Sequence, residues 1–136
     1  TLGGAAEVSA DGSPTPSVVE FAQHGVETAI ATDDGSLGWK GFAAGLFTRW
    51  LEAQDGPADR LVVYSCGPEP MMRAVGEACI ARGIECQLAL ERHMACGMGT
   101  CQSCIVKLRA RGEPGWQYKL VCTDGPVFNA EDILWD

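Results

Sequence analysis

Four cysteines in the last third of the chain, Cys96, Cys101, Cys104 and Cys122, are separated by four, two and seventeen residues. That order is the plant-type spacing of [2Fe–2S] ligands, and thiolates are soft donors matched to iron–sulfur chemistry. Gly97, Met98, Gly99 and Thr100 lie between the first two. Glycines there permit positive φ and bring backbone N–H groups close to the sulfurs, where hydrogen bonds help set a potential. Zinc on four cysteines is the alternative for the same residues, although such sites usually show two short C-x2–4-C knuckles and here the last cysteine stands apart. A disulfide fits less well, because the chain holds seven cysteines and an odd count suits a reducing compartment.

The remaining cysteines are scattered. Cys79 and Cys86 sit among apolar residues and read as core. Cys66 ends an apolar run, at the position where α/β sheets take their ligands, with a buried packing role as an equal reading. Asp33 and Asp34 follow another strand-like segment. Carboxylates so placed accept from a ribose hydroxyl and repel a 2′-phosphate, which predicts NAD over NADP; a plain turn ahead of a helix is the more ordinary role for them.

These groups need elements to hold them. Ser17-Val18-Val19-Glu20 has the pattern of a capping box, and Gly25 is placed to stop the helix expected over 17–24. Residues 26–32 are β-branched and read as a strand. From Trp39 to Ala53, Phe42, Leu46, Phe47, Trp50 and Leu51 recur at helical intervals. Leu61-Val62-Val63-Tyr64-Ser65 is an unbroken apolar run, as expected of a central strand buried on both faces. Gly67 then allows a sharp turn and Pro68 and Pro70 open a helix to about Arg82, with Met72, Val75 and Cys79 on one stripe. Ile84, Cys86, Leu88 and Leu90 alternate with polar residues, which predicts a strand with one dry face. The βαβαβ order implies part of a doubly wound parallel α/β sheet over residues 1–90. Residues 91–136, with short strands at 105–108 and 118–122, read as a small, mostly β module that needs a staple to fold.

The whole chain has 136 residues, 46% of them hydrophobic and 21% charged, enough for a packed core. Its net charge of −8 argues against nucleic acid or an anionic membrane as partner. No run approaches the about 18 apolar residues of a membrane span, and no signal peptide is evident at the start, so the expected location is cytoplasmic. The first residue is Thr1, which suggests a piece of a longer protein.

Leu90-Glu91-Arg92-His93-Met94-Ala95-Cys96-Gly97-Met98-Gly99-Thr100-Cys101-Gln102-Ser103-Cys104, with Tyr118 to Phe128 after it, closely resembles the cluster module of the electron-transfer subunits of heteromeric, NAD-linked dihydroorotate dehydrogenases. Residues 32–38 and Tyr64-Ser65-Cys66-Gly67-Pro68-Glu69-Pro70-Met71 resemble the ferredoxin-reductase-type nicotinamide domain of the same subunits. The resemblance implies a relay in which FMN on a partner subunit oxidises dihydroorotate and electrons pass a [2Fe–2S] cluster and FAD to reach NAD+. It implies Cys96, Cys101, Cys104 and Cys122 as cluster ligands, Cys66, Gly67 and Pro68 on the nicotinamide side of the flavin, and a hetero-oligomer.

The family's FAD-holding β-barrel and Gly-rich strand-turn-helix are expected ahead of Thr1, since Thr1-Leu2-Gly3-Gly4 is too short to replace them. FAD and NAD binding are therefore expected of a full-length protein, and this stretch alone is expected to be inactive. A diaphorase-type subunit of an electron-bifurcating transhydrogenase or cytoplasmic hydrogenase is a related alternative. A non-enzymatic, zinc-stapled binding module is the alternative of another class. Met94, Ala95, Met98 and Gln102 surround the ligands without charge and suit a partner interface or a shield against water.

Overall fold

The computed structural model describes residues 8–56 and 60–135. The chain forms two compact units, Thr1–Asp55 and Gly56–Asp136, and its architecture is mixed α/β with small sheets. Residues 1–4, read above as too short to supply a strand and phosphate turn, lie outside the described residues.

In the first unit, α1 is Val19–Ala22, β1 is Ala31–Thr32, β2 is Trp39–Lys40 and α2 is Ala43–Glu52. The expected capping box does not form. The Ser17 hydroxyl is buried and hydrogen-bonds Thr28 Oγ1 at 3.0 Å, and the α1 N-cap is Val18. Residues 26–32 are largely irregular: Thr28 makes an isolated bridge with Thr15, and only Ala31 and Thr32 pair, in parallel with Trp39 and Lys40. Trp39 thus belongs to a strand rather than to the helix expected over 39–53. The break between them is Gly41, at φ +142°, where an added Cβ would come within 2.5 Å of the Trp39 ring. Helix α2 buries Leu46 and Leu51 as its spacing requires, while Phe42, at its N-cap, stays 74% exposed.

The second unit holds β3 (Val62–Cys66), α3 (Glu69–Ala81), β4 (Glu85–Ala89), β5 (Ile105–Arg109), β6 (Trp116–Leu120), α4 (Val121–Asp124) and β7 (Val127–Asn129). β3 and β4 are parallel, as the β-α-β order predicts, and β7 adds to the other side of β4 antiparallel. Met72, Val75 and Cys79 on α3 are buried, together with Cys86, Leu88 and Phe128 from the sheet. Each fully buried aliphatic side chain of this kind contributes roughly 1.5–3 kcal/mol. Gly76 permits the approach: an added Cβ would lie 3.2 Å from Ala130 Cβ in the 3-10 turn Ala130–Asp132. Cys79 and Cys86 are core residues, as read from sequence, and burial pushes the Cys86 thiol up to about 12.

The sheet differs from expectation in two respects. Among the described residues β3 stands at the edge of the order β3-β4-β7, and its Val62 and Tyr64 are 47% and 71% exposed. An apolar run is buried on both faces only where something packs on each, and within this unit α3 covers one. The division expected at residue 90 is crossed by the chain itself. β7, from beyond the cysteine cluster, pairs Gln87 with Asn129, Leu88 with Phe128 and Ala89 with Val127. The β5–β6 hairpin is tied in as well, through the Leu108–Ile133 bridge and Leu134 N–H to Lys107 O at 2.9 Å. The small module therefore shares the hydrophobic core of the sheet it follows.

Candidate metal centre

The segment from Leu90 to Cys104 has no regular structure, and its shape is set by residues that tolerate positive φ. Gly97 and Gly99 lie at +67° and +86°, and Gln102 at +58° is the described non-glycine residue in that region. The turns bring backbone donors to sulfur. Cys101 N–H donates to Cys96 Sγ at 3.4 Å. Cys104, buried at the entry to β5, receives the N–H of Cys122, which together with the Cys122 thiol lowers its pKa. Cys122 is raised, chiefly by its hydrogen bond with the Cys104 thiol. The expected strand over 118–122 ends at Leu120, and Cys122 stands in the single helical turn α4. Val121 N–H reaches Cys104 O at 3.0 Å, which ties that turn to the entry of β5.

Contacts thus link Cys101 to Cys96 and Cys122 to Cys104, and Cys96 is also close enough to Cys122 to help raise it. Four neighbouring thiols suit a two-iron cluster, in which four protein thiolates serve two irons. The donor set thus fits a [2Fe–2S] group.

Ser103 is a contributor that spacing did not single out. Its hydroxyl lies 3.2 Å from Cys101 Sγ and 3.0 Å from the carbonyl of His93. This contact is the chief cause of a Cys101 pKa lowered to about 6. The signal was present as a hydroxyl residue between two ligands, a type that readily bonds locally. Met94 and Met98 are 50% and 73% exposed beside the ligands.

Cys66 ends β3 and is exposed, so a buried packing role does not apply. Gly67, at φ +153°, and Pro68, the α3 N-cap, complete the turn. Cys66 lines a cavity of about 520 Å3 with Ala89, Leu90, Arg92, Met94 and Pro126. The same second unit thus brings the Cys66 end of the sheet and the start of the cluster segment to one cavity. Arg92 pairs with Glu69 at the start of α3, and its buried Nε has no partner among the described residues. Asp33 and Asp34 belong to the first unit. They form the turn between β1 and β2, and Asp34 accepts the Ser36 N–H at 2.9 Å, which lowers its pKa. No helix of the described residues is long and apolar enough to cross a membrane.

Residues 91–134 match the iron–sulfur cluster binding domain of dihydroorotate dehydrogenase B. The chain is 43% identical over 109 residues to the electron transfer subunit of dihydroorotate dehydrogenase B (NAD(+)) of Caldanaerobacter subterraneus, across 80% of this chain and 41% of that one. It is 44% identical over 117 residues to the same-named protein of Geobacillus thermodenitrificans, across 85% and 40%. The chain thus spans about two fifths of the length of these relatives. A solved structure of an NADH-dependent reduced ferredoxin-NADP oxidoreductase, described for flavin-based electron bifurcation, superposes with a TM-score of 0.59 at 25% identity, over 77% of this chain and 34% of that one. Residues 91–134 are therefore similar to the iron–sulfur cluster binding domain of dihydroorotate dehydrogenase B, in a chain similar to part of that enzyme's electron transfer subunit.

Proposed function

We propose that this chain is part of the electron-transfer subunit of an NAD-linked dihydroorotate dehydrogenase, acting in pyrimidine biosynthesis. Electrons released when an FMN-bearing partner subunit oxidises dihydroorotate reach NAD+ through this subunit, which carries a [2Fe–2S] cluster and, in the full-length protein, FAD. The observation that carries the reading is the match of residues 91–134 to the cluster domain, with Cys96, Cys101, Cys104 and Cys122 at plant-type ligand spacing inside it. When bound, the cluster supplies one-electron transfer. The chain's own part is to hold it with four sulfurs, aim backbone N–H groups at them and present Met94 and Met98 to a partner.

The finer assignments follow from the same reading. Cys66, Gly67 and Pro68 lie on the nicotinamide side of the flavin, and the exposure of Cys66 at a strand's carboxyl end supports this. Asp33 and Asp34 face the nucleotide ribose and favour NAD over NADP, although Asp34 already has a turn-forming role. Residues 1–90 are an incomplete nicotinamide-nucleotide domain of the doubly wound, ferredoxin-reductase type, and residues 91–136 are the cluster module. The protein works in the cytoplasm as a hetero-oligomer, and its unpaired thiols suit that compartment.

Iron and acid-labile sulfide analysis with the visible spectrum tests the cluster: iron with sulfide absorbs in the visible, and zinc alone does not. Reconstitution of the full-length protein with its FMN-bearing partner tests the reaction by dihydroorotate-dependent NADH formation. A second reading, a diaphorase-type subunit of an electron-bifurcating oxidoreductase, is favoured by the structural similarity to the NADH-dependent reduced ferredoxin-NADP oxidoreductase. It predicts reduction by ferredoxin and no response to dihydroorotate.

A further inference from the structure

We infer that Ser103 tunes the one-electron potential of the cluster by donating its hydroxyl proton to Cys101 Sγ. The inference rests on the cluster reading above and assigns a role to a residue that is not itself a ligand. The Ser103 hydroxyl has two acceptors within reach, Cys101 Sγ at 3.2 Å and the His93 carbonyl at 3.0 Å, but only one proton to give. When Cys101 is a free thiol, its own S–H serves that contact and the serine proton goes to His93. As an iron ligand, Cys101 carries no proton, and the serine hydroxyl becomes the donor between the two side chains. A hydrogen bond to an anionic sulfur is stronger than one to a neutral carbonyl, so rotation about the Ser103 Cβ–Oγ bond turns the proton to Cys101.

The geometry favours an effect on potential rather than on assembly. Reduction adds one negative charge to the cluster and its sulfurs, so a donor fixed on a ligand sulfur stabilises the reduced form more than the oxidised form. Hydrogen bonds to the sulfurs are one of the determinants of iron–sulfur potentials. Ser103 is exposed on the same surface as Cys101. Part of the hydroxyl's effect is therefore offset by water, and a shift of modest size is expected. The positive φ of Gln102, between Cys101 and Ser103, folds the backbone back so that the hydroxyl faces the sulfur two residues before it.

The test is a dye-mediated redox titration, followed by the EPR signal of the reduced cluster, on full-length wild-type protein and on Ser103→Ala, Ser103→Val and Ser103→Thr. Ala and Val should load iron and sulfide as wild type does and show a lower midpoint potential. A tenfold loss in the reduction equilibrium corresponds to about 59 mV for one electron, and a shift up to that size is expected. Thr should restore the wild-type potential. Loaded Ala and Val variants with an unmoved potential would falsify the inference while leaving the cluster reading intact. Failure of Ala and Val to load while Thr loads also overturns it, in favour of a structural bond to the His93 carbonyl. A wild-type protein that takes up no iron and sulfide and gives no EPR signal removes the cluster reading, and the inference with it.

Discussion

The Asp124 carboxylate accepts the backbone N–H of Leu120 at 2.7 Å, and by doing so closes the single helical turn that carries Cys122. The bond does the work of a capping box, in which a carboxylate returns to the N–H at the head of its own helix. Lys119 adds an ion pair at 3.4 Å. The Leu120 N–H, and then Lys119, hold the Asp124 carboxyl below the usual carboxylate range. A depressed acid contributes stability that is present above its unfolded-state value and is lost as pH falls through its folded-state value. The turn should therefore be intact at neutral pH and loosen in acid, below the ordinary value of 3.8. Asp124→Ala should release iron to a chelator several-fold faster than wild type at pH 7, with the circular dichroism of the sheet unchanged. Equal release rates would show that α4 needs no cap.

Thiol substitution separates ligands from core. Cys96→Ser, Cys101→Ser, Cys104→Ser and Cys122→Ser should each lower iron and sulfide content. Cys79→Ser should keep both and lower stability by about 1–3 kcal/mol, since it places a hydroxyl in an apolar site. Denaturant titration and iron assay of the same preparations read both effects. Full iron and sulfide retention by Cys122→Ala rules out this ligand set.

In protein freed of iron, the thiols should differ in reactivity by their surroundings. Cys101 is exposed and, with the Ser103 hydroxyl on its sulfur, ionises at about 6, so at pH 7 it is mostly thiolate. Cys86, pushed up to about 12 by burial, is a neutral thiol at the same pH. Brief treatment with iodoacetamide followed by peptide mass mapping should find Cys101 alkylated first and Cys86 untouched until denaturant is added. Early modification of Cys86 would mean that the sheet opens readily at β4.

How much of this was legible without coordinates varies with the range of the interactions. The candidate site could be located because the first three cysteines lie within nine residues, with glycines marking the turns between Cys96 and Cys101. β4 and the stripe on α3 could be read because one side of each is buried by the other, which imposes periods of 2 and 3.6. Ser17 misled because its hydroxyl bonds to Thr28, eleven residues away, and a local pattern carries no sign of that partner. β3 misled because apolar content does not say how many faces are covered. β7 went unread because three residues, Val127–Asn129, are too few to show alternation, and their pairing with β4 is long-range. Ser103 lay in plain view, but its importance depends on the turn at Gln102, a residue whose type does not announce a positive φ.

The last expectation concerns what residues 1–136 do when produced alone. They should hold a [2Fe–2S] cluster yet fail to oxidise NADH with an artificial acceptor. The cluster domain is matched from residue 91 to 134, and the four thiols fall within it. Hydride transfer from a nicotinamide delivers two electrons together, whereas an iron–sulfur cluster accepts them singly, so a flavin has to stand between the two. The stretch spans about two fifths of the relatives' length. Absorbance spectra, flavin release on denaturation and dye reduction by NADH measure each part separately. The expected protein is red-brown, free of flavin and inactive with NADH. A preparation of residues 1–136 with stoichiometric flavin and NADH turnover overturns this expectation and demands a flavin site built from these residues alone.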